Sequence, residues 1–199
     1  MSRVPVAILI SGSGSNMAAL VADMEDRAHP ARPCVVISNR PEVAGLARAA
    51  RAGVPAVALD HRAFPDRAGF EAALDRELDR AGAEIICLAG FMRVLTPDFV
   101  TRREGRILNI HPSILPLFPG LDTHARVLAA GMAVHGATVH EVTPELDCGP
   151  IRGQAVIPVL PGDTPATLAE RLLPAEHRLY PAVLRRFAAG DRTPLALFP

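Results

Sequence analysis

The chain reads as an α/β protein: a mostly parallel, twisted sheet flanked by helices, with an antiparallel C-terminal extension of the sheet. Three observations predict this. Short apolar runs alternate with helix-period patterns through the first half. These runs are continuous, as strands covered on both faces require. The second half then offers two segments, 137–142 and 155–159, that suit an antiparallel pair.

The elements follow in order. Residues 6–10 form an apolar strand, and after a Gly/Ser turn Met17, Leu20, Val21 and Met24 recur at helical spacing. Residues 34–38 are a second strand, and Leu46, Ala47 and Ala50 mark a helix that Gly53 ends. A third strand over 54–59 precedes an amphipathic helix with Phe70, Leu74 and Leu78 on one face, stopped by Gly82. A fourth strand covers 84–89 and another covers 106–111. Pro112, Pro116 and Pro119 then force an extended loop, in which Leu115–Pro116 is a candidate cis bond. Residues 164–187 are helical by pattern, with Pro174 inside the run. Such strand–helix alternation places helices on both faces of the sheet.

Composition excludes several function classes. At 199 residues the chain fits one domain, 1–199, with no linker or repeat. Its 49% hydrophobic and 21% charged content is globular. Twenty-one acidic residues balance twenty-one basic ones, which argues against a broad nucleic-acid or anionic-membrane surface. Every basic residue is Arg, so neither a lysine Schiff base nor a P-loop lysine is available. Without Trp and with Tyr180 as the one Tyr, base-stacking platforms are disfavoured. Cys34, Cys87 and Cys148 form an odd set with no close pair, a reduced-compartment pattern, and the first two read as small buried residues. No signal-peptide pattern and no apolar run of membrane-helix length is present, so the expected location is cytoplasmic.

Two stretches carry chemistry. Gly12-Ser13-Gly14-Ser15-Asn16 lies between the first strand and the first helix, where open α/β sheets bind anions through glycine backbone and helix N–H groups. It resembles a dinucleotide fingerprint, but Met17 occupies the third glycine position and Ser38-Asn39-Arg40 lacks the acidic residue for a ribose. A monophosphate suits it better, since Ser15 and Asn16 add donors; a plain tight turn is the bland alternative. In Asn109-Ile110-His111-Pro112, strand alternation points Asn109 and His111 one way and Leu108 and Ile110 the other. An amide and an imidazole side by side can stabilise an oxyanion or move a proton; a hydrogen-bonded strand-end histidine is the alternative. Asp147, in a loop shaped by Pro144, Gly149 and Pro150, is positioned to orient His111 and favour its protonated form, or to make a local turn. Cys148 lacks a neighbouring base, and His124, His135 and His140 lack metal-ligand spacing and read as surface or packing residues.

Residues 8–16 (ILISGSGSN), Ser38-Asn39-Arg40, 88–93 (LAGFMR), 108–113 (LNIHPS) and Glu145-Leu146-Asp147, in that order, resemble the phosphoribosylglycinamide formyltransferases (glycinamide ribonucleotide transformylases) of the folate-dependent formyltransferase family. The likeness runs from about residue 6 to 190. It implies a Rossmann-like fold and formyl transfer from 10-formyltetrahydrofolate, the donor cosubstrate, to the amine of glycinamide ribonucleotide (GAR). The products are formyl-GAR and tetrahydrofolate, in purine biosynthesis. Residues 1–105 would be the phosphoribosyl-binding half and 106–199 the catalytic and folate-binding half. Gly14, Ser15 and Asn16 would hold the phosphate and Glu176 the ribose. Arg67, Met92, Arg93, Val94, Leu95 and Asn109 would border the folate, and the backbone of Thr143, Pro144, Glu145, Leu146 and Asp147 would read its pterin. Asn109, His111 and Asp147 would be catalytic.

Leu88, Phe99, Val100, Ile107 and Val142 match the family's pocket lining, although periodicity alone makes them core. No metal, nucleic acid or membrane is implied, and the chain would act as a monomer or homodimer. Three departures stand out: Leu117 where a polar or basic residue is common, Cys148 where small residues are usual, and Pro174 just before Glu176. Alternatives are a formyltetrahydrofolate hydrolase, which passes the formyl group to water, a nucleotide-dependent oxidoreductase and a non-catalytic folate or phosphate binder.

Overall fold

The computed structural model describes residues 3–198. Its strands are β1 (Val4–Ile10), β2 (Ala31–Ser38), β3 (Ala56–Ala58), β4 (Ile85–Leu88), β5 (Ile107–His111), β6 (Val134–Glu141), β7 (Ile151–Pro158) and β8 (Leu195–Leu197). Its helices are α1 (Ser15–Asp23), α2 (Ala44–Arg51), α3 (Arg67–Arg80), α4 (Pro97–Arg102), α5 (Thr123–Ala129) and α6 (Pro165–Ala188). One sheet runs β3-β2-β1-β4-β5-β6-β7-β8. The first five strands are parallel, β5–β6 and β6–β7 are antiparallel, and β8 returns parallel to β7. The sheet is therefore mostly parallel with an antiparallel part, as the pattern predicts.

Two apolar layers cover it. On one face β1, β4 and β5 send Ile8, Cys87 and Leu108 against Leu20 of α1 and Leu179 and Leu184 of α6. On the other, Leu9, Ile86 and Ile107 meet Phe70 and Leu74 of α3 and Phe99 of α4. Continuous burial along β1 and β4 explains why their sequences do not alternate. Tyr180 ties α6 to the sheet, its buried hydroxyl lying 3.2 Å from the Leu88 carbonyl and 3.0 Å from that of Leu108.

Boundaries depart from expectation in particular places. Only Ala56–Ala58 of the expected 54–59 strand pairs, because β3 is a partly exposed edge with one neighbour. Helices α4 and α5 and strand β8 carry no usable period: the helices have six and seven residues and β8 has three. Helix α6 accommodates both Pro174 and Pro181. Leu115–Pro116 is cis. Cys34 is half-buried, not fully buried, while Cys87 is buried and Cys148 exposed. No described helix is long and apolar enough to cross a membrane.

Candidate active site

The sheet reverses its winding between β1 and β4, since the chain builds β1-β2-β3 outward and then returns to the other side of β1. Carboxyl ends of strands at such a switch point face a crevice. The segments after β1, β4 and β5 are the glycine loop, residues 90–95, and the proline-rich loop that follows His111.

At the glycine loop, Gly14 caps α1 in a left-handed conformation (φ 70°) and no side chain caps the helix. A Cβ at Gly14 would lie 2.9 Å from Met17 Cε and 3.0 Å from Gly45 Cα, so the loop packs tightly against α2. First-turn N–H groups without a side-chain cap are anion donors. Asn16 is buried and its Nδ2 donates to Glu176 Oε2 at 2.7 Å, across 160 residues of sequence. Asn16 Oδ1 is buried with no partner among the described residues. Burial pushes the Glu176 carboxyl above its ordinary value, and the Asn16 amide opposes this only in part. Pro174 thus does not displace Glu176 from the loop.

After β4, Met92 and Val94 are exposed while Phe91 and Leu95 are buried. The Arg93 guanidinium lies 5.3 Å from the centroid of Phe70, on the first turn of α3, which Arg67 opens as an exposed residue. Leu88, Phe99, Val100 and Ile107 join one buried cluster, with Val142 packed against it. That is the core role periodicity assigns them, on the face that also carries Phe91 and Leu95.

The third station is a polar cluster at the end of β5. His111 Nδ1 lies 3.4 Å from Asp147 Oδ2, and both side chains are more than nine-tenths buried. Asp147 comes from the loop joining β6 to β7. There Gly149 lets that loop close, since a Cβ would fall 1.8 Å from the Glu141 carbonyl oxygen. Asp147 adopts a left-handed φ of 54°, which Asp tolerates better than most residues, and Oδ2 accepts the Gly120 N–H at 2.9 Å. Burial raises its carboxyl, but the neighbouring His140, the Gly120 N–H and the charge of His111 outweigh it, leaving Asp147 below the ordinary carboxylate value. The remaining nitrogen of His111, Nε2, sits 3.0 Å from the Phe118 carbonyl, so it carries a hydrogen. Both ring nitrogens therefore face oxygen acceptors.

His140, expected as a surface or packing residue, is buried and also hydrogen-bonded to Asn109. It lies opposite Asn109 on β6. Its Nδ1 is 2.9 Å from the Glu141 carbonyl and must donate, so in the neutral ring Nε2 accepts from Asn109 Nδ2 at 3.2 Å. This contact orients the Asn109 amide through one of its two hydrogens. His140 Nε2 is 3.6 Å from Asp147 Oδ1, too far for a hydrogen bond. The sequence signal was the register: His140 pairs with Asn109 once β6 lies antiparallel to β5. Of the other two, His124 Nδ1 on α5 and His135 Nε2 on β6 lie 2.9 Å apart. Among the described residues, no group of three or more His, Cys, Asp or Glu is arranged to hold a metal.

Thr143 donates its hydroxyl to the Glu145 carbonyl at 3.1 Å, while Pro144, Glu145 and Leu146 are exposed. Leu117 and Leu121 are exposed on the opposite loop.

The model of the formyl transferase family matches residues 4–184. A phosphoribosylglycinamide formyltransferase of Escherichia coli K12 is 42% identical over 93% of this chain and 87% of its own. The trifunctional purine biosynthetic protein adenosine-3 of Gallus gallus is 48% identical over 95% of this chain, which spans only 19% of that protein's length. Among solved structures, the phosphoribosylglycinamide formyltransferase of Brucella melitensis superposes with a TM-score of 0.91 at 51% identity, covering 95% of this chain and 97% of that one. The glycinamide ribonucleotide transformylase 1 of Symbiobacterium toebii gives 0.92 at 47% identity, covering 94% and 89%. Near-complete coverage at these identities leaves one conclusion: the chain belongs to the formyl transferase family, on its phosphoribosylglycinamide formyltransferase branch.

Proposed function

We propose that this chain transfers a formyl group from 10-formyltetrahydrofolate to the amine of glycinamide ribonucleotide. The observation that carries the reading is the convergence of Asn109, His111 and Asp147 at the end of β5, two strands from a glycine loop joined to Glu176. Strands are spaced about 4.8 Å apart, so β1 and β5 end roughly 10 Å from each other. That is the scale of a phosphoribosyl unit with a glycinamide arm.

Gly14, Ser15 and Asn16 hold the phosphate at the N-terminus of α1. Glu176 and the unpartnered Asn16 Oδ1 take ribose hydroxyls, which can donate to both. Arg67 and Met92, Arg93, Val94 and Leu95 border the folate, and the backbone of 143–147 reads the pterin. As the amine attacks the formyl carbon, negative charge develops on its oxygen. The free Asn109 hydrogen and His111 stabilise it, and His111 exchanges its Phe118 carbonyl partner for the substrate. Asp147 holds His111 from Nδ1. A proton leaves the attacking nitrogen and one reaches N10 of the departing folate; His111, or a water fixed by Asp147, relays it. No covalent bond to the protein forms.

The test is a formyl-transfer assay with purified protein and 10-formyl donor, with and without glycinamide ribonucleotide. Folate release only with acceptor, and a formylated product, is expected. Release without acceptor would identify a hydrolase. Absence of release in both would overturn the reading.

A further inference from the structure

Ser38-Asn39-Arg40 is a motif that the proposed reaction leaves unused, yet Asn39 is buried at the same end of the sheet as the glycine loop. Its Oδ1 accepts the Ser11 hydroxyl at 2.5 Å. Because that hydrogen is committed, a lone pair of Ser11 Oγ is left for the Met92 N–H, which donates at 2.8 Å. The Ser11 N–H in turn donates to the Gly90 carbonyl at 3.1 Å. Ser11 therefore grips the turn after β4 at two points. Asn39 is itself held by His61, whose Nδ1 donates to the Asn39 carbonyl at 2.8 Å.

The gripped turn launches the exposed stretch 92–94. Met92 is 64% and Val94 57% exposed, so packing does little to set their direction. Burial of Phe91 and Leu95 fixes the depth of the stretch, but apolar burial is non-directional. Hydrogen bonds supply direction at both ends. Ser11 holds Met92, and the buried Glu71 of α3 accepts from Thr96 N at 2.7 Å and from the Thr96 hydroxyl.

We infer that Ser11, locked by Asn39, is a positioning residue that sets the folate-bordering stretch 92–95 relative to the phosphate loop. The inference rests on the formyl-transfer reading for what each side binds. Ser11 is the first residue of the acceptor loop and touches the donor border, so one hydroxyl links the two substrate stations.

Ser11→Ala, Asn39→Ala and Asn39→Asp test it, by steady-state kinetics in both substrates and by hydrogen exchange at the Met92 amide. Loss of one hydrogen bond corresponds to about a five- to tenfold effect. Ser11→Ala should raise donor KM by about that factor, with kcat and acceptor KM within about threefold. The Met92 amide should exchange about tenfold faster. Asn39→Ala should show a weaker version, and Asn39→Asp, which keeps the acceptor for Ser11, should resemble the unsubstituted chain. An unchanged donor KM would overturn the inference, as would a Met92 amide already unprotected before substitution. So would a parallel fall in kcat and rise in both KM values, which general loosening produces. If Ser11→Ala does not fold, the Asn39 pair carries the same comparison. No transfer by the unsubstituted protein would instead remove the formyl-transfer reading, and the Met92 exchange would still report on the clamp.

Discussion

Replacing Asp147 with Asn isolates the charge that holds His111. The variant keeps the side-chain volume, keeps an oxygen for the Gly120 N–H and suits the left-handed backbone, where Asn is at least as well tolerated as Asp. What it removes is the attraction between the carboxylate and a protonated His111. At 3.4 Å, with an effective dielectric near 20, that attraction is about 5 kcal/mol. The amide dipole retains a fraction, so a loss of about 4 kcal/mol of transition-state stabilisation is expected, a fall in kcat of about a thousandfold. KM for both substrates should change by less than about fivefold, since the backbone proposed to read the pterin is retained. The assay is folate release under saturating acceptor at pH 7, beside an unfolding curve for each protein. The stability control matters because Asp147 is held below the ordinary carboxylate value in the fold. Its charge therefore adds stability above that range, lost as pH falls through the folded value. A folded Asp147→Asn protein with kcat within threefold of the parent would refute the role given to the pair.

Further outcomes are expected. Burial lowers the buried His135 to about 4 from an ordinary 6.5. The unfolded chain takes up a proton there first, so stability should fall by about 3 kcal/mol as pH drops from 6.5 to 4. Denaturant titrations of His135→Asn across that window should show a shallower slope, and an unchanged slope would count against the assignment. Gly149→Ala drives a Cβ into the Glu141 carbonyl oxygen and should cost about 1–3 kcal/mol or more, with activity falling as Asp147 shifts; a thermal midpoint and kcat equal to the parent's would contradict that. Desolvation and the carboxylates of Glu145 and Asp147 push the Cys148 thiol up, so it is protonated at neutral pH. Cys148→Ser should keep kcat within about twofold, and a loss of several orders of magnitude would show that the thiol takes part in the reaction.

Much of the sheet was legible because its signals are local. Residues 6–10 and 85–88 are buried on both faces, so their apolar runs are unbroken. Strand alternation placed Asn109 and His111 on one face, and Leu108 and Ile110 do fall in the opposite apolar layer. Elements of six or seven residues, such as α4 and α5, are too short to display a period, and β8 exists only because β7 offers it an edge. His140 escaped for a different reason. Its partner is 31 residues away, and the pairing exists only once β6 lies antiparallel to β5.

From the sequence alone came the order of elements, the glycine loop at the head of α1, and the chemical types at the end of β5. All of these depend on residues close together in the chain, where propensity and periodicity act. Tertiary structure decided which of those residues meet. It set Asn16 against Glu176, brought Asp147 and His140 around Asn109 and His111, and turned the unassigned Ser38-Asn39-Arg40 motif toward Ser11. Such contacts join segments that are distant in the chain, and the packing of the whole sheet, not any local preference, determines their distances.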